Sequence, residues 1–105
     1  MIKPELYDVI ELLTDLPQVE IKAGQLGTIV DKHNENAYEV EFANDGGETL
    51  ALLALTPEKF IVVWKSETHS WVSLADRVSA MLEVLPEERQ KQVLNFTRSL
   101  YQSPV

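Results

Sequence analysis

Few side chains in this sequence stand where they could do covalent or metal chemistry together. The two histidines fall in polar stretches, His33 in HNEN (33–36) and His69 in KSETHS (65–70). Neither has a partner at the spacing of a metal set or a catalytic triad, so both read as solvated. Glu39 and Glu41 alternate along one strand face and could imitate a carboxylate pair. Glycosidase chemistry also needs a cleft and surroundings that raise one of the two pKa values, whereas alternate acids on an open strand form an ordinary wet face. Asn44, Asp45 and Glu48 offer calcium-type oxygens without the dense spacing of a calcium loop, and they read as a turn. Gly24 and Gly27 lack the lysine and serine of a phosphate-binding loop. With no cysteine in 105 residues, disulfides, thiolate zinc, iron–sulfur clusters and thiol nucleophiles are excluded. No catalytic, metal or cofactor-binding residue is assigned, and a non-enzymatic protein is expected.

The elements that carry these residues are legible from hydrophobic period. LYDVIELL (6–13) reads as a first strand, followed by a loop from Pro17 to Gly24. QLGTIVDK (25–32) is β-branched at its centre, with Gly24 placed for a turn and Gly27 for a bulge or a close backbone approach. AYEVEF (37–42) alternates cleanly, Tyr38, Val40 and Phe42 on one face and Glu39 and Glu41 on the other. NDGG (44–47) is a hairpin turn that returns the chain antiparallel through ETLALLAL (48–55). TPEK (56–59) suits one helical turn, and FIVVW (60–64) makes a fifth strand. Five short strands joined by tight turns predict a small closed or partly open β-barrel of the SH3-like kind over residues 1–65.

The period then changes. After a polar linker, Ser73 with Asp76 predicts a helix start. Leu74, Val78, Met81, Leu82 and Leu85 form its apolar stripe. Pro86, Glu87 and Glu88 suit the start of a second helix, Glu87 pairs with Lys91 at i,i+4, and Val93, Leu94, Phe96, Leu100 and Tyr101 make its apolar side. The fold class is α+β: a five-stranded antiparallel barrel, then a linker and two-helix hairpin over 66–105.

One segment asks for a cover. LALLAL (50–55) is apolar at every position. In the hairpin one of its faces joins Tyr38, Val40 and Phe42, and the other stands beside Glu39 and Glu41. Two leucines left in water there forgo about 1.5–3 kcal/mol each. The helical hairpin, with its own stripe to bury, is expected to lie across this face, within one chain or from a second copy.

Charge narrows the partner. Of the net −8, most falls on residues 1–65, where five lysines stand against twelve acids; residues 66–105 hold four basic and five acidic groups. Nucleic-acid binding draws on Lys and Arg to neutralise phosphate, so an acidic body disfavours it and suits a basic protein. The longest apolar run, six residues, is far short of the roughly 20 of a spanning helix, and with no signal-like start a cytoplasmic protein without a membrane partner is expected.

The order DLP, GQLGTIV, YEVEF, GET and an apolar strand resembles a bacterial family of small SH3-like barrel domains of unknown function, over residues 4–64. The GxxGTIV piece is similar to the glycine-containing strand of KOW-type domains, which implies RNA or protein binding as the alternative reading. LADRVSAMLEVLPEERQKQVLNFTRSL resembles helical pieces of antitoxin-like proteins. The expected function is a protein-interaction module, an inhibitor or antitoxin-like partner of a basic protein, with a homodimer through the helices as a further option. Its candidate partner surface is Glu39, Glu41, Leu53, Leu55, Trp71, Met81, Phe96 and Tyr101, with Trp64 and Trp71 flanking the join between the two parts.

Overall fold

A computed structural model describes residues 2–34 and 36–102. Six strands form one antiparallel sheet: β1 (Val9–Leu12), β2 (Leu26–Asn34), β3 (Ala37–Ala43), β4 (Thr49–Leu55), β5 (Phe60–Lys65) and β6 (Ser70–Trp71), in the order β4-β3-β2-β1-β5-β6. Two helices follow, α1 (Leu74–Val84) and α2 (Glu87–Gln102). The short TPEK connection makes a 3-10 turn at Pro57–Lys59.

The alternation of AYEVEF does what its period requires. Tyr38, Val40 and Phe42 are buried in one core with Ile10, Leu12, Ile29, Leu55, Phe60 and Val62. Tyr38 on β3 meets Phe60 on β5 edge-on, ring centroids 5.9 Å apart at 87°, although β2 and β1 lie between those strands in the sheet. The sheet must therefore curl so that its concave face closes on itself. It does not close by hydrogen bonds: among the described residues β4 pairs with β3 alone. The expected five-stranded, closed or partly open barrel is met in part: the antiparallel sheet is curled but open at β4, and it has six strands instead of five.

The sixth strand comes from the run read as a linker. Trp64 and Trp71 are direct cross-strand partners, and Lys65 faces Ser70, so KSETHS is the turn of a β5–β6 hairpin. His69 takes the left-handed conformation there, φ 52°, and its ring lies 5.6 Å from that of Trp64. The first strand is shorter than LYDVIELL suggested, because Tyr7 has φ 69° and Asp8 turns its side chain inward. Gly27 is a close approach: a Cβ there would sit 2.7 Å from Val40 Cγ1 and 2.9 Å from Phe42 Cε1.

Helix α1 begins as its residues ask, with Ser73 Oγ accepting from the Asp76 amide at 3.1 Å. It packs on β5, and the expected stripe is buried only in part: Met81, Leu82 and Leu85 are half-buried. Arg77 and Ala80 are half-buried, and Ala80 and Val84 border a crevice with Ile61, while Leu74 and Val78 stay exposed. The small Ala80 side chain lets the helix backbone approach the strand. Thus FIVVW is the run covered on both faces: Phe60 and Val62 join the concave core, and Ile61 and Val63 are buried outside it.

Helix α2 has no buried residue. It meets α1 beside the Leu85–Pro86 break, where Gln90 Nε2 donates to Leu82 O at 2.8 Å and Val78, Leu82, Val93, Leu94 and Thr97 line an open groove. A radius of gyration of 15.3 Å, against about 13 Å for a compact chain of this length, reflects this projecting helix.

Candidate interaction surface

The eight residues expected to face a partner separate into three groups. Leu55 is 3% exposed and belongs to the core, and Leu53 is half-buried against it, so neither offers a partner surface. The exposed leucines of LALLAL are Leu50, at 51%, and Leu52, at 58%. The reason is one inserted residue. Near the turn Ala43 faces Thr49, but Phe42 faces Ala51, so Leu50 is the extra residue of a bulge on β4. Extending the turn register without it would point Leu53 and Leu55 outward; the bulge exchanges the faces. Asn44 fixes the turn, its Oδ1 accepting from the amides of Gly46 at 3.0 Å and Glu48 at 2.9 Å.

Glu39 and Glu41 form the second group. They stand half-buried on the outer face, directly across from Ala54 and Leu52. His33 Nε2 lies 2.6 Å from Glu39 Oε1, and Thr49 Oγ1 donates to Glu41 Oε2 at 2.5 Å. Each carboxylate keeps further acceptor capacity toward an incoming donor. Trp71, Met81, Phe96 and Tyr101 form the third group, on β6 and the helices; β2, β1 and β5 separate β6 from β3 in the sheet. Trp71 is exposed, with the Arg77 guanidinium 5.9 Å from its ring centroid. Met81 is half-buried, and Phe96 and Tyr101 are 66% and 90% exposed. The helices of the same chain do not cover Leu50 and Leu52, so the expected cover of LALLAL within one chain is not formed.

What remains at β4 is an edge. Its seven residues, TLALLAL, contain neither charge nor proline, and the side away from β3 pairs with no strand among the described residues. Edge strands are ordinarily guarded by lysines, proline or a cover, because their free amides and carbonyls recruit other strands. The bulge at Leu50 is the one such device here, and it lies at the turn end.

A buried polar cluster escaped the sequence reading. Asp8 is fully buried; its Oδ2 accepts from Lys65 Nζ at 2.7 Å and the Glu5 amide at 3.0 Å. Its Oδ1 accepts from the Ser66 amide at 2.9 Å and Ser66 Oγ at 3.1 Å. Burial pulls the Lys65 ammonium down, but hydrogen bonds and charge from Asp8 and Glu5 outweigh it and hold Lys65 above the ordinary lysine range. Among the described residues the Asp8 partners are Glu5, Lys65 and Ser66, so the cluster fastens the N-terminal segment to the β5–β6 turn. The only sequence signal was an acid opening an apolar strand. His33 and His69 lie apart from any such cluster, and among the described residues no three acidic or histidine side chains group to hold a metal. No helix among them is long and apolar enough to cross a membrane.

The geometry defines a small curled antiparallel β domain with an edge strand guarded only at its turn end and two appended helices. The chain belongs to the DUF4926 family, a domain of unknown function whose family model matches residues 6–62, more than half of the chain. That segment contains β1 to β4 and the first half of β5, and excludes β6 and both helices. No curated protein and no solved structure matches this chain.

Proposed function

We propose that this chain is a non-enzymatic protein-interaction module, an SH3-like curled sheet that accepts an extended basic segment of another protein along β4. The observation that carries this reading is β4 itself: an uncharged edge strand with Leu50 exposed at the bulge, Leu52 exposed across from Glu41, and Glu39 across from Ala54. An added strand gains affinity from main-chain hydrogen bonds and specificity from alternate side chains. In this register alternate apolar side chains of the guest rest on Leu50 and Leu52, and its lysines or arginines reach Glu39 and Glu41. The acidic excess of residues 1–65 steers such a guest and makes its association salt-sensitive. The same excess runs against a KOW-like role on nucleic acid. An inhibitor or antitoxin-like role toward a basic target is the specific form of this reading. The β4 surface lies within the family-matched segment, which supports assigning this role to the domain rather than to the helices.

The experiment is co-purification of the tagged chain from its own host at low salt, in parallel with Leu50→Lys and Leu52→Lys variants. The proposal expects a basic protein that elutes with salt and is lost from both variants. Retention that is indifferent to these lysines, or recovery of nucleic acid, would overturn it.

A further inference from the structure

The helical face that the sheet leaves uncovered has its own complement. We infer that α2 pairs antiparallel with α2 of a second copy, so that the chain is a two-fold dimer through its helices. This is independent of the proposed role of β4.

Three observations lead there. First, α2 is 16 residues long with none buried, and a helix of about that length is marginal in water without packing. Second, its apolar side is broad. At 100° per residue, Phe96, Leu100, Val93, Thr97, Gln90, Tyr101 and Leu94 occupy less than half of the circumference. From the exposures of Leu74, Val78, Leu94, Phe96, Leu100 and Tyr101, the open apolar surface is on the order of 500 Å² per chain. Flanking polar atoms bring it near the roughly 800 Å² per partner of a standard interface.

Third, the flanks of α2 are self-complementary about a single axis. Glu87 and Arg98 are eleven residues apart, about three turns, and so lie on one flank. Arg89 and Phe96 are seven apart, about two turns, and share the other flank. An antiparallel copy with its two-fold axis between Gln92 and Val93 sets Glu87 against the second copy's Arg98 and, in the same register, Arg89 over the second copy's Phe96. Each contact occurs twice, one an ion pair and one a cation–π pair. The charge distribution agrees: residues 66–105 are nearly neutral, so the helices are where two copies of an acidic chain can meet with least repulsion.

The test is sedimentation equilibrium of the full chain from about 1 to 200 µM, with the variants Phe96→Asp, Glu87→Arg and Arg98→Glu. A dimer is expected for the native chain. Phe96→Asp should weaken it by about 100-fold or more. Each charge reversal should weaken it by about tenfold, and mixing the two reversed chains should restore the association as a heterodimer. Urea unfolding of each variant, followed at the sheet, checks that the domain stays folded. A native chain that remains monomeric throughout, a dimer indifferent to Phe96→Asp, or reversed chains that fail to rescue each other would overturn the inference.

Discussion

Replacing Asp8 by alanine removes the acceptor for four hydrogen bonds at a fully buried position. Breaking a buried ion pair by deleting one partner costs about 3–5 kcal/mol, because the other charge is left uncompensated. Here the penalty is reduced, since Lys65 keeps Glu5 Oε1 at 3.0 Å and Lys3 O at 3.0 Å and its side chain is 19% exposed. The Glu5 and Ser66 amides lose their acceptor as well. Together these set the expected cost at about 2–4 kcal/mol, a large share of the roughly 5–15 kcal/mol that holds a domain. Urea unfolding should show a lower midpoint at an unchanged slope, and Tm should fall by at least about 8 °C. A cycle with Lys65→Met should give a coupling of about 1 kcal/mol or more. A loss below about 1 kcal/mol, or no coupling, would mean that the cluster does not fasten the β5–β6 turn.

Other predictions follow from β4, Gly27 and Lys65. Leu52→Lys should change stability by no more than about 0.5 kcal/mol, whereas Leu55→Ala should cost about 2–5 kcal/mol; similar costs at the two positions would refute the bulged register. Gly27→Ala should destabilise by about 1–3 kcal/mol through overpacking against Val40 and Phe42, while Gly46→Ala, whose Cβ comes no closer than 3.4 Å to Asn44 Oδ1, should be nearly neutral by the same unfolding assay. Lys65 has a raised pKa in the fold, so its contribution is full below the ordinary value of 10.5 and is lost as pH rises through the higher folded value. The stability difference between the native chain and Lys65→Met, measured by urea unfolding, should therefore be constant from neutral pH up to that value and shrink above it.

Where one physical rule dominates, the sequence was readable. AYEVEF has a single way to bury Tyr38, Val40 and Phe42, and Ser73 with Asp76 caps α1 by a local bond that needs no tertiary help. A glycine inside a strand predicts a bulge or a close backbone approach at Gly27, and the second holds, since a Cβ there would meet Val40 and Phe42. Non-local choices were not readable. The bulge at Leu50 depends on how the Asn44 turn is tied, and one residue of register moves the exposed leucines from Leu53 and Leu55 to Leu50 and Leu52. KSETHS is polar enough for a linker, and only the pairing of Trp64 with Trp71 makes it a hairpin. The apolar stripe of α1 suggested its buried side, yet the face carrying Ala80 meets β5 because a small residue permits close contact.

The measurement that bears most directly on the interaction role is an amide NMR titration of the full chain with an extended peptide whose alternate positions carry two valines and then two lysines, with threonine between them so that valines and lysines share one face, at low and at high salt. Strand addition at the β4 edge predicts saturable shifts and slowed exchange at amides of Thr49–Leu55, reversed by salt and absent with Leu52→Lys. Shifts confined to α1 and α2, or none at low salt, would contradict it.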